Sequence, residues 1–84
     1  MKYIVFEDRT AVIFAESVSH KFIAGDRLVH SAGFCSIAVH ETDFGTHVGI
    51  STYGRSDSLN KDSDGINDCH ILKSVFSNDS IHIV

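Results

Sequence analysis

Tyr3-Ile4-Val5-Phe6 and Ala11-Val12-Ile13-Phe14 are apolar at every position, not at alternate ones. Side chains of an extended strand point to opposite faces in turn. Strands with this composition therefore need cover on two sides. That demand is severe for 84 residues, which read as a single domain spanning 1–84 with a thin core. Glu7-Asp8-Arg9 breaks the two runs, so they read as an amino-terminal hairpin. One helix covers one face of such a hairpin. The other face is expected to be covered by a second copy, which predicts a homo-oligomer.

The rest of the chain supplies further strands and one helix. Ser19 reads as the cap of a single helical turn ending at Gly25. Arg27 to His30 leads into a longer strand, with Gly33 expected at a bulge or kink. Residues 34–40 and 47–53 alternate cleanly, and Glu41 to Thr46 read as the loop of a hairpin. Pairing His40 with His47 brings Val39 to Val48 and Ile37 to Ile50, so the apolar faces match. Asp64 to Ser77 has helical spacing, with Cys69, Leu72, Val75 and Phe76 in one arc. Ser63 or Asp64 suits its N-cap, and Asp68 suits its first turn. Asn78-Asp79 should stop it, before a last strand in which Ile81 and Ile83 flank His82. The expected class is α+β: a small, mostly antiparallel β-sheet with one main α-helix near the C-terminus.

Charge and composition narrow the partners. The net charge is -4 with histidine neutral, and Lys and Arg nowhere cluster. Nucleic acid polymers are not expected as partners, because neutralising phosphates takes a basic patch. The apolar run at Tyr3–Phe6 is too short for a signal peptide or a membrane span. Cys35 and Cys69 do not make a disulfide framework. A cytoplasmic setting without membrane contact is the expectation.

Four groups of residues carry possible chemistry. In Asn60-Lys61-Asp62-Ser63-Asp64-Gly65-Ile66-Asn67-Asp68, oxygen-bearing side chains recur at alternate positions and Gly65 follows the third. Asn60, Asp62, Asp64 and Asp68, with the Ile66 carbonyl, can ring a hard cation. The segment resembles the calcium loops of EF-hand, dockerin and thrombospondin type 3 repeats. It departs from them at Asn60 and at Ile71, where the closing bidentate ligand belongs. At most weak Ca²⁺ binding is expected, and the same residues also read as a polar loop entering a helix.

The second group follows from the hairpin register. Opposite the apolar face, Ser36 meets Ser51 and Ala38 meets Gly49, with Phe34 and Tyr53 at one end and His40 and His47 at the other. This floor of small residues suits a stacked planar ligand, oriented by histidines that donate more strongly once protonated. It equally suits close packing by the helix or by a second protomer. The third group is Gly54-Arg55-Ser56-Asp57-Ser58, in which Arg55 can meet a phosphate at the Tyr53 end. The fourth is the cysteines. Both are expected to face the core, so thiolate catalysis or a Cys/His zinc site ranks well below binding. His20, His30 and His82 read as ordinary surface positions.

Ser31-Ala32-Gly33-Phe34, the segment Tyr53 to Leu59 and the opening Met1 to Phe6 together resemble small proteins of phages and prophages. The resemblance carries no active site. It implies a class: short accessory proteins that bind a host protein or sequester a host signal molecule. The expected function is a non-catalytic, self-associating binding module, with a small planar or phosphorylated molecule such as a nucleotide signal, or a host protein, as its target. The rival is a small structural domain with a weak calcium loop at 60–68.

Overall fold

The computed structural model describes residues 1–77 and 82–83, with side chains through Ser74. The elements are β1 (Lys2–Phe6), β2 (Ala11–Phe14), α1 (His20–Ala24), β3 (Val29–Thr42), β4 (Gly45–Tyr53), β5 (Arg55–Ser56), β6 (Lys61–Asp62), α2 (Gly65–Ser77) and β7 (His82–Ile83). The main sheet has five strands in the order β4-β3-β1-β2-β7, and β5 and β6 form a separate pair. The β1–β2, β1–β3 and β3–β4 contacts are antiparallel, and only β7 runs parallel to its neighbour. The α+β class with a mostly antiparallel sheet and a C-terminal helix is therefore what forms. Asn78, Asp79, Ile81 and Val84 lie outside the described residues, as do the side chains of Val75, Phe76, His82 and Ile83.

Both faces of β1 and β2 are buried, but not by a second copy. Tyr3, Val5, Ala11 and Ile13 pack with Cys35 and Leu72 on the α2 side. Ile4, Phe6, Val12 and Phe14 pack with Ala24, Val29 and Ala32 on the other side, with Val18, Ile23 and Leu59 added from the flanking segments. The need for a partner over these strands, read from their two-sided apolarity, is thus met by α1 and the loops around it. The short helix forms because Ser19 caps it: its Oγ accepts from the Phe22 backbone N–H at 3.1 Å. Its stop is Gly25, at φ 57°.

Two local expectations are corrected. The bulge in β3 is not at Gly33 but between Val29 and Ser31, where the pairing with β1 slips by one residue at His30. Gly33 stays in register opposite Tyr3, and the reason for glycine there is close approach. A Cβ at Gly33 would stand 2.6 Å from the Tyr53 carbonyl oxygen and 3.1 Å from the Ser63 Cβ. His20 is buried rather than on the surface. Its Nε2 lies 2.9 Å from the Gly33 carbonyl oxygen, so that nitrogen carries the donor proton. The ring stands edge-on to Phe14 and Phe34, at 5.3 and 6.0 Å between centroids.

The β3–β4 hairpin outgrows the sheet. β1 pairs β3 as far as Phe34, so from Cys35 to Thr42 the sheet neighbour of β3 among the described residues is β4. α2 lies against β4 and backs this ribbon as far as Ile37 and Ile50. Past those residues Val48 is half-buried, whereas Val39 is 58% exposed and Phe44, at the tip, 95%. The ribbon belongs to a molecule whose extents are 43 × 22 × 22 Å.

Candidate functional site

The register of the ribbon is the one that the alternation demands. Phe34 pairs with Tyr53, Ser36 with Ser51, Ala38 with Gly49 and His40 with His47. Directly opposed residues share a face, so these eight form one strip, on the side of the sheet that carries α1. α2 packs on the other side. Ser36, Ala38, His40, His47, Gly49 and Ser51 are all exposed. At the inner end, the Phe34 and Tyr53 rings stack at 5.9 Å with 18° between their planes. Gly54, at φ 75°, lets the backbone turn over Phe34, where a Cβ would come within 3.0 Å of the ring. Tyr53 keeps half of its surface free.

The floor is present and open, and none of its residues lines either of the cavities beside α2. Small-molecule sites bury most of their ligand in a concavity, and one ribbon face covers one side of a planar molecule at most. Small residues in such a strip do allow a second protein surface to approach closely. Arg55, assigned to the phosphate end, is committed elsewhere. Its Nη2 donates to Asn60 Oδ1 at 2.6 Å, and its Nε lies 3.4 Å from Asp57 and 3.6 Å from Asp62. A phosphate there would meet two carboxylates first.

The same contacts divide the residues of the 60–68 loop. Lys61–Asp62 is a strand paired with Arg55–Ser56, and Asn60 takes a left-handed turn conformation at φ 52° before it. Asn60 and Asp62 thus face Arg55. Gly65, which should sit at the sharp turn of the loop, instead opens α2. Asp68 is fully buried one turn into the helix. Its Oδ1 accepts from Ser31 Oγ at 2.6 Å. Its Oδ2 accepts from the Tyr3 hydroxyl and, at 2.8 Å, from the Asp64 backbone N–H. Burial first and the Asp68 carboxyl second raise the Tyr3 pKa, so the phenol stays protonated as a donor. The four residues assigned to one ion are divided among an ion pair, a turn and a buried hydrogen-bond hub.

Among the described residues, one group of three His, Cys, Asp or Glu side chains brings its ligand atoms within 4.8 Å of one another: His30, Asp64 and Asp68. The Asp68 oxygens already accept from three donors, which leaves His30 and Asp64 as a simple pair at 3.1 Å. The His30 ring, and then the Asn67 amide, hold the Asp64 carboxyl below the usual carboxylate range. This pair borders a cavity of about 450 Å³ between the β1–β2 turn and α2. The residues of that turn and the outer face of α2 were not assigned to any site from sequence. The available signal was helical spacing: Asn67, His70, Ile71 and Ser74 fall on one stripe of α2.

Burial pushes the Cys35 thiol up, and Cys69 Sγ sits 3.3 Å from the Thr52 hydroxyl. No helix among the described residues is long and apolar enough to cross a membrane. No family model, curated protein or solved structure matches this chain.

Proposed function

We propose that this chain is a non-catalytic binding module that self-associates through the open face of the β3–β4 ribbon. One observation carries the reading. β1 and β2 are buried on both faces by the chain itself, yet beyond Ile37 and Ile50 the ribbon carries an open face of exposed residues, an exposed Val39 and an apolar tip at Phe44. An isolated two-stranded ribbon is marginal in water, and β4 is an edge strand whose outer backbone groups have no partner in the sheet. Packing against a second ribbon offsets the first of these liabilities, and the Ser36, Ala38, Gly49 and Ser51 strip permits the close approach.

The stacked Phe34–Tyr53 pair favours a second element of the reading. Two ribbons face to face supply the wall that one lacks, and a planar molecule held between them would stack on Tyr53. A small planar host molecule is the ligand class that fits such a slot, in keeping with the accessory-protein class implied by the phage-like segments. Native mass spectrometry of the purified protein tests this directly. The expected spectrum shows a dimer or higher assembly, and any carried-over small molecule should be lost in Tyr53→Ala with the assembly retained. A bound molecule that survives Tyr53→Ala would remove the slot as its site, and an assembly that carries no small molecule would move the target to a host protein docking on the ribbon.

A further inference from the structure

We infer that the cavity between the β1–β2 turn and α2 is a binding site for a small phosphomonoester that also carries hydroxyl or amino groups. Its volume of about 450 Å³ lies in the range of small-molecule sites. A second cavity of about 280 Å³ adjoins it and shares Arg9, His70 and Ile71, adding Ser74. The chemistry is therefore unequal along the groove. Arg9 and His70 stand where the two spaces join, whereas Glu7, Asp64 and Asn67 line only the larger one. A guanidinium with an imidazole and a hydroxyl beside it suits a phosphate. Carboxylates and an amide at the other end suit hydroxyl or amino donors.

Two features set this groove apart from a solvated crease. Among the described residues, the side chains of Glu7, Arg9 and His70 have no hydrogen bond or ion pair, although a -4 chain offers Arg9 many carboxylates. By contrast Arg27 and Arg55 are both paired with acidic side chains. Arg9 also occupies a left-handed backbone position, φ 68°, in the tight turn closed by its N–H to the Phe6 carbonyl. Glycine or asparagine normally takes such a position. An arginine held there at a conformational cost, with its charge unpaired beside a cavity, points to a ligand rather than to the turn. His30, fixed by Asp64, borders the same space and adds a ring already oriented by its partner. The groove lies on the α2 side, at the end of β3 remote from the ribbon tip, so it stands or falls independently of self-association.

The test is titration of ¹⁵N-labelled protein with three probes: inorganic phosphate, ribose 5-phosphate and adenosine 5′-monophosphate. The groove predicts saturable shifts at Arg9, Asn67, His70 and Ser74, with both organic phosphates binding at least tenfold more tightly than inorganic phosphate. The better of the two tells whether a sugar or a base fills the larger space. Arg9→Gly relieves the backbone and should hold or raise the melting temperature while weakening binding tenfold or more; His70→Gln should weaken it less. No saturable shift with any probe at millimolar concentration, shifts confined to the ribbon, or unchanged affinity in a folded Arg9→Gly would each overturn the site.

Discussion

Asp68 holds three parts of the chain together through one carboxyl group. Tyr3 reaches it from β1, Ser31 from β3, and the Asp64 N–H from the turn into α2. Its removal would leave three donors without an acceptor, two of them on residues with no exposure to speak of. Asp68→Ala should therefore cost about 3–5 kcal/mol and Asp68→Asn about 1–3 kcal/mol, read by urea denaturation. A loss under about 0.5 kcal/mol for the alanine variant would remove Asp68 from this role. From sequence Asp68 reads as a cation ligand, because spacing reports oxygen atoms and not their direction. Its place four residues before Leu72, on the same helical stripe, was the sign that it points inward. His20 illustrates the same limit. Nothing local shows that Phe14 and Phe34 will close around it. Burial first, and the nearby Lys2 charge, lower its pKa, while the bond to Gly33 works against them. The folded state thus binds this proton less readily than the unfolded chain. The resulting stability is present above the ordinary histidine value, about 6.5, and is lost as pH falls through the lowered folded value. Melting temperatures of His20→Gln should be flatter over that window than those of the parent; parallel curves would refute the assignment.

At the scale of elements, the alternating strands were the most legible part. Matching the apolar faces of residues 34–40 and 47–53 selects one register, since a slip of one residue would exchange the faces, and that register forms. The helix over Gly65–Ser77 follows from its period for the same reason. What covers the second face of β1 and β2 was not legible. α1 has five residues and too little periodicity to announce a buried face, and Leu59 joins the core from a loop. The segment at 60–68 divides between two elements, a strand and a helix, which the alternation of its oxygen-bearing residues did not show. Millimolar Ca²⁺ should accordingly leave the melting temperature of the protein unchanged, and Asp62→Ala should not alter that response. A clear rise with Ca²⁺ that Asp62→Ala abolishes would mean that the strand pairing at Lys61–Asp62 gives way to an ion.

The whole molecule divides into a self-contained body and an arm. The body closes two small cores over one sheet with residues of its own chain. The arm, beyond Ile37 and Ile50, has little of its own to bury and exposes Val39 and Phe44. The groove behind the β1–β2 turn belongs to the body and the floor of small residues to the arm, and we propose separate tasks for them. Sedimentation velocity from about 1 to 100 µM, spanning the affinities of transient association, checks whether the arm joins copies of the chain. Self-association through the open face predicts a dimer or larger species at tens of micromolar in the parent, and a folded monomer in Phe44→Asp combined with Ala38→Lys, which puts a charge on that face. A parent protein that stays monomeric across that range would contradict it.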